Sequence, residues 1–141
     1  MAKDAELRKI YLASKHGFSA EAFHKHCDKQ GPTLTVARTS TGYVVGGYNE
    51  ASWFSDRQYH YGDTNFLFQY NPETHLLLQG TLITRYKHRA SGNKEFTGPS
   101  FGGDSVMPKP GISPSYNNSQ FCYLMSFTVT DYEVFKILLI L

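Results

Sequence analysis

The sequence has few cysteines and no long apolar run, and each shortage excludes a class of protein. Its two cysteines, Cys27 and Cys122, are too few for a disulfide framework. We therefore expect reduced thiols in a cytoplasmic chain. The longest apolar run is Ile137–Leu141, far shorter than the roughly 20 residues that span a bilayer as a helix. We predict no transmembrane segment.

Strong charge is also missing, and so is the pattern of a secretion signal at the first residues. The net charge is +2, whereas nucleic-acid binding is normally marked by a strong basic stripe. The sequence therefore gives no strong sign of a nucleic-acid partner.

The residues that are abundant favour a folded protein rich in strands and turns. Hydrophobic residues make up 40%, aromatic residues 15% and charged residues 18%, so the composition is not that of a disordered chain. Twelve glycines and six prolines accompany the aromatics, a combination typical of strands joined by turns. The length of 141 residues suits one domain, which we predict over residues 1–141.

Two short helices are predicted before the first strand. Leu7, Ile10 and Tyr11 share one helical face, which predicts a helix from Asp4 to about Ser14. A second helix begins after Ser19, a favourable N-cap residue, and we expect it to end at Gly31–Pro32.

The rest of the chain carries mainly strand signals. A turn at Ser40–Gly42 separates two β-rich runs, which predicts a hairpin. Residues 98–119 are rich in Gly, Pro, Ser and Asn, which predicts a long loop. Helices followed by strands predict an α+β, mainly β fold: a two-sheet antiparallel sandwich with short edge helices. The predicted strand regions are Thr33–Thr39, Tyr43–Tyr48, Phe66–Tyr70, Leu76–Tyr86 and Phe121–Ile137.

Five stretches stand out in order along the chain. They are GFSAEAFHKHCDKQGPTLTV (17–36), GYVVGGYNEASW (42–53), NFLFQY (65–70), GPSFGG (98–103) and DYEVFKI (131–137). Together they resemble the TLDc domain family. The sequence departs from the family pattern after Gly103, where Asp104 follows directly, and it matches poorly over residues 84–95.

The resemblance implies both a fold and a role. It implies two antiparallel sheets packed as a sandwich, and a non-catalytic module that acts by protein–protein contact. TLDc proteins are linked to resistance to oxidative stress, and some regulate the vacuolar proton pump. The resemblance therefore implies pump subunits as partners, a place at organelle membranes through such a partner, and no cofactor. We expect a monomer.

Ten residues in these stretches are predicted to have structural roles, because glycines permit close backbone approach and buried aromatics dominate cores. They are Phe23, Cys27, Gly31, Gly46, Gly47, Trp53, Gly98, Phe101, Gly102 and Glu133.

The run from His24 to Asp28 also raises the possibility of a metal site. On a helix His24, Cys27 and Asp28 lie on one side, whereas His26 points away. The alternative is that these are structural residues of a helix end, because Phe23 and Cys27 share the apolar face. No further ligand motif accompanies the run, so we predict no metal.

An enzyme is the alternative to an interaction module. Gly98–Gly102 matches G-x-S-x-G, with Ser100 as the nucleophile, but no histidine follows Ser100 to complete a hydrolase triad of that order. Cys27 and Cys122 could be redox-active thiols if exposed, yet both lie in apolar patterns. We predict no catalytic residue.

One cluster of basic residues is a candidate partner-binding patch. Arg85, Lys87 and Arg89 lie close together in the sequence, with Tyr86 among them. Such a patch could contact an acidic protein, a lipid headgroup or nucleic acid, whereas the alternative is a solvated strand end or loop.

Overall fold

The computed structural model describes residues 4–82, 91–92, 100–101, 104–105, 116–117 and 129–140. Within these ranges the chain forms antiparallel strands and two short helices, α1 (Ala13–His16) and α2 (Ala20–Cys27). The longer strands are β1 (Asp4–Leu12), β2 (Thr33–Thr39), β3 (Val44–Asn49), β5 (Phe66–Asn71), β6 (Leu76–Leu82) and β11 (Val129–Ile140). The two-residue strands are β4 (Tyr59–His60), β7 (Ser91–Gly92), β8 (Ser100–Phe101), β9 (Asp104–Ser105) and β10 (Tyr116–Asn117).

The strands belong to two sheets. Seven strands pair in the order β1-β11-β2-β3-β5-β6-β10, and four short ones in the order β4-β7-β8-β9. The predicted hairpin is confirmed, because β2 and β3 pair antiparallel around the turn at Ser40–Gly42, with Thr33 opposite Asn49. The predicted strand at Phe66–Tyr70 is confirmed as β5, and Leu76–Tyr86 contains β6 as far as Leu82.

The helix predicted from Asp4 to Ser14 is wrong, because Asp4–Leu12 is strand β1. This strand pairs with β11 from Asp4 opposite Ile140 to Leu12 opposite Glu133. Pairing with a strand from the other end of the sequence outweighs the weak helical periodicity of a short segment. Only Ala13–His16 of this segment is helical, and Gly17 follows as the C-cap residue of this short helix.

The second predicted helix is confirmed as α2. The Ser19 side chain accepts a hydrogen bond from the backbone N–H of Ala22 at 3.1 Å, which caps the first turn. The helix ends at Cys27, before the predicted stop at Gly31–Pro32. It ends there because Asp28 has extended backbone and the N–H of Lys29 bonds the carbonyl of Trp53 at 2.9 Å.

The core lies on the side of the large sheet that carries α2. Alternate residues of β2 are buried, as expected of a strand covered on one face. The fold is mainly antiparallel β with short helices, which confirms that part of the predicted class. The sandwich and the single-domain assignment stay predictions, because most residues between β6 and β11 lie outside the described ranges. The segment predicted as a loop, residues 98–119, contains three two-residue strands, β8, β9 and β10.

Candidate functional site

Trp53 joins helix α2 to the large sheet. The side chains of Phe23, Cys27 and Trp53 are fully buried, and the Phe23 and Trp53 rings meet edge to face at 5.7 Å. The Trp53 indole N–H donates to Thr33 Oγ1 at 3.0 Å. Burial of a polar indole without such a partner would be costly. These residues therefore fix α2 against the start of β2.

The run from His24 to Asp28 has its polar groups engaged with each other and with a neighbouring loop. His24 Nδ1 lies 2.7 Å from Asp28 Oδ1, and Asp28 Oδ2 accepts a hydrogen bond from Ser55 Oγ at 2.6 Å. The His26 ring Nδ1 lies 2.9 Å from the carbonyl of Ala22. Across the part of the chain that the structure describes, no three potential metal ligands cluster.

The surroundings of Cys27 disfavour thiol chemistry. Its side chain is fully buried, and this burial, followed by the nearby charge of Asp28, raises the pKa of the thiol well above its usual range. A reactive cysteine needs the opposite, an accessible thiol with a lowered pKa. Cys122 lies outside the described residues.

The G-x-S-x-G segment is only partly described. Ser100 and Phe101 form strand β8, whose backbone pairs with β7 and β9, whereas Gly98 and Gly102 fall outside the described ranges. A nucleophile elbow requires its serine at a turn between a strand and a helix. The backbone at Ser100 is instead part of a short antiparallel strand.

The glycines in β3 allow adjacent strands to lie close together. A Cβ atom on Gly46 would lie 2.0 Å from the carbonyl oxygen of Thr35 and 2.7 Å from the Phe68 ring. Gly47, the next residue of β3, lies opposite Thr35. Gly31 has a φ of 75°, and its N–H donates to Ser52 Oγ at 2.8 Å. A positive φ of this size favours glycine.

A cluster of two tyrosines and two histidines lies where β1, β11 and both helices meet. The rings of His16 and His26 are 4.2 Å apart, and those of Tyr11 and Tyr132 are 5.2 Å apart. The backbone N–H of Leu12 donates to His16 Nδ1 at 3.0 Å. Sequence reasoning missed this cluster, because the pairing of β1 with β11 brings its members together.

Charged residues line a cavity of about 190 Å³ between β1, β11 and β2. Lys9 Nζ lies 2.9 Å from Glu133 Oε2. Glu133, which belongs to the DYEVFKI stretch, therefore forms an ion pair with Lys9 of strand β1. Asp131 accepts two hydrogen bonds from Ser14, from its N–H at 3.0 Å and its Oγ at 2.7 Å. Arg38 contributes the fourth charged group of the lining. The cavity is mixed in charge, and its acidic groups are already bonded.

The predicted partner-binding residues Arg85, Lys87 and Arg89 all lie outside the described residues. The described surface offers other candidate contacts, which are large hydrophobic side chains that are at least half exposed. They are Leu7, Phe18, Tyr61, Leu76 and Leu77. In the parts of the chain that are described, no helix has the length and apolar character needed to cross a membrane.

Comparison with protein families gives a match over nearly the whole chain. The family model described as the TLDc domain matches residues 2–138. This range contains the five stretches on which the resemblance was based.

Curated relatives carry the name MTOR-associated protein MEAK7. The protein from Xenopus laevis is 25% identical over 146 aligned residues, which cover 92% of this chain and 32% of the relative. The protein from Mus musculus is 35% identical over 71 residues, which cover 49% of this chain and 16% of the relative. The chain thus spans about a third or less of the length of these relatives.

Proposed function

The chain belongs to the TLDc domain family, and we propose that it is a non-catalytic module that binds other proteins. The observation that carries this proposal is the family match over residues 2–138, because it covers the domain as a whole and not an isolated motif. Function on a shared fold resides in particular surfaces, so the partner has to be identified experimentally.

The surroundings of the candidate nucleophiles support a role without catalysis. The Cys27 thiol is buried and its pKa is raised, and the neighbouring carboxylate of Asp28 is bonded to His24 and Ser55. A catalytic group needs access to substrate and a pKa suited to its task. On the side of the sheet that carries α2, these groups instead stabilise the junction between α2 and the Trp53 loop.

The partners that we propose are subunits of the vacuolar proton pump, with the chain in the cytoplasm and at organelle membranes through that partner. The family resemblance supports this choice and also suggests a role in resistance to oxidative stress. The name of the MEAK7 relatives, MTOR-associated protein, supports a second partner class, complexes that contain mTOR.

We also propose that the large sheet forms one half of a sandwich. On the face opposite α2, Phe135, Leu34, Tyr48 and Phe66 are neighbours across four adjacent strands, and all are partly buried. An apolar sheet face of this extent requires a covering layer. Phe66→Glu is therefore expected to destabilise the fold, measured by urea unfolding, whereas an uncovered face would tolerate the charge.

A quantitative pull-down at near-physiological salt tests the proposed partners. The tagged chain is the bait, and an unrelated domain of similar size with the same tag is the control. We expect enrichment of vacuolar proton-pump subunits over the control. Enrichment of mTOR without pump subunits would replace the first partner class by the second. Enrichment of neither would contradict both partner proposals while leaving the family assignment intact.

A further inference from the structure

Strand β1 is an outer strand with exposed side chains. It occupies one end of the seven-stranded order, and no strand in the described ranges pairs with its outer edge. All six residues from Asp4 to Lys9 are exposed, and Leu7 at the centre of this segment is 51% exposed. An outer strand of this kind presents unpaired backbone groups to another strand.

The first half of β1 extends past the neighbouring part of the sheet. Strand β11 pairs with β2 only up to Lys136, which lies opposite Thr33. Beyond that point, residues 137–140 of β11 pair with β1, from Leu7 opposite Ile137 to Asp4 opposite Ile140. The two strands therefore form a ribbon, and among the described strands none covers its outer edge.

The order of charges along β1 is complementary to itself. Acidic Glu6 precedes Leu7, and basic Arg8 follows it. If two copies of β1 pair antiparallel with Leu7 opposite Leu7, each Glu6 lies opposite the Arg8 of the other copy. Residues directly opposite each other across two antiparallel strands interact, and opposite charges there are favourable.

The same features limit which strands can pair with this edge. The register of β1 shifts between Lys9 and Tyr11, so regular pairing ends there and spans five residues centred on Leu7. Charges on an outer strand normally prevent indiscriminate pairing. Here they oppose a strand with a different charge order and favour a second copy of this one.

We propose that β1 is a self-association edge, through which two copies of the chain pair antiparallel about a twofold axis at Leu7. The two large sheets would join into one, and the interface would be small, so association is weak and depends on protein concentration. This proposal differs from the expected monomer, and it does not depend on which partner the module binds.

Charge exchange at positions 6 and 8 tests the proposal. Glu6→Arg and Arg8→Glu each place like charges opposite one another on both sides of Leu7. Each is expected to raise the dissociation constant of the dimer about tenfold, since two attractive cross-strand pairs become repulsive. Sedimentation velocity over a wide range of protein concentration measures the constant, and circular dichroism checks that the variants are folded.

Two combinations should restore association. An equimolar mixture of the Glu6→Arg and Arg8→Glu proteins has only attractive pairs, so heterodimers are expected to form at the concentrations at which the wild type dimerises. The double variant Glu6→Arg/Arg8→Glu is expected to dimerise like the wild type. Glu73→Arg and Lys25→Glu, which make the same charge changes at other exposed positions, should leave the constant unchanged.

Three results would overturn the proposal. The first is a wild-type chain that stays monomeric at every concentration, which would leave the edge for a strand of another protein. The second is a dimer that neither single exchange weakens, since its interface would lie elsewhere. The third is a mixture of the two variants that fails to associate, because the predicted register would then be wrong.

Discussion

Polar and charged side chains occur both on the α2 side of the large sheet and along its β1 edge. Those beside α2 are bonded inside the protein, whereas those on β1 are mostly exposed. Beside α2, His24 and Asp28 bond to each other, and buried Thr33 accepts from the Trp53 indole. Along β1, Glu6 and Arg8 are largely exposed, and their contact of 3.5 Å is a surface ion pair. Surface ion pairs contribute little to stability. Polar groups near α2 therefore hold the fold together, whereas Glu6 and Arg8 on β1 are largely exposed to solvent.

This difference separates residues that stabilise the fold from residues that can contact a second chain. The histidine, cysteine and aspartate of α2 resemble a reactive site in the sequence, yet their contacts are internal. Substitutions near α2 should therefore change stability first, and substitutions on β1 should change association first.

Trp53→Ala should produce the largest loss of stability. The side chain is fully buried against Phe23 and bonds Thr33, so its removal leaves a cavity and an unused acceptor. We expect the free energy of unfolding to fall by about 3–5 kcal/mol, measured by urea denaturation. Leu76→Ala is the control: its side chain is 54% exposed, so a change within about 0.5 kcal/mol is expected. Equal losses in both variants would contradict the assigned core.

Gly46→Ala should produce the next largest loss of stability. We expect the free energy of unfolding to fall by about 1–3 kcal/mol, because the added methyl group overpacks the sheet. The added methyl group would meet the backbone oxygen of Thr35 more closely than the ring of Phe68. Thermal unfolding of the single variant and of Gly46→Ala/Phe68→Leu separates the two obstacles. We expect the smaller side chain to restore little stability, because the carbonyl cannot move without the strand. Full recovery would identify the ring as the obstacle.

Thr33→Val and Thr35→Val form a matched pair on β2, since both side chains are fully buried. Thr33 accepts the Trp53 indole bond, whereas Thr35 Oγ1 has no hydrogen-bond partner among the described residues. Loss of the Thr33 acceptor should cost about 1–3 kcal/mol, and Thr35→Val should be neutral or stabilising. Chemical denaturation of both proteins measures the difference. A greater loss at Thr35 would contradict these assignments.

The smallest expected effect is a loss of stability in acid through His16, which lies where β1, β11 and both helices meet. Desolvation, followed by His26 and Lys15, lowers the pKa of His16 below its ordinary value. The unfolded chain then binds the proton more readily, so stability is complete above about pH 6.5 and declines as the pH falls from there through the folded-state pKa. His16→Asn keeps an acceptor for the Leu12 N–H without titrating, and it should flatten this decline in thermal unfolding between neutral and mildly acidic pH. If stability falls equally in the variant and the wild type as the pH is lowered, groups other than His16 cause the loss.

Local signals in the sequence predicted the parts of the fold that depend on neighbouring residues. Ser19 caps α2 through a contact three residues away, and the Ser40–Gly42 turn joins two strands that pair directly. Strand β1 was missed because its partner, β11, lies more than 100 residues further along the chain.

In the candidate site, too, contacts between residues close in sequence could be predicted, whereas contacts between distant segments could not. The spacing of Phe23 and Cys27 placed both on the apolar face of α2, where the structure buries them. The Lys9–Glu133 ion pair and the His16–His26 contact carry no local signal, since pairing of distant strands and the junction of two helices create them. The charge order of β1 is self-complementary only in an extended outer strand, and the distant pairing with β11 creates that strand.

The most direct test of the central claim, that the module acts by protein contact and not by chemistry, is one quantitative pull-down with two baits. One bait is the wild-type chain, and the other carries Cys27→Ala, Cys122→Ala and Ser100→Ala together, with its folding checked by circular dichroism. We expect the same partners at the same enrichment for both baits. Loss of the wild-type partners from the folded triple variant would contradict it.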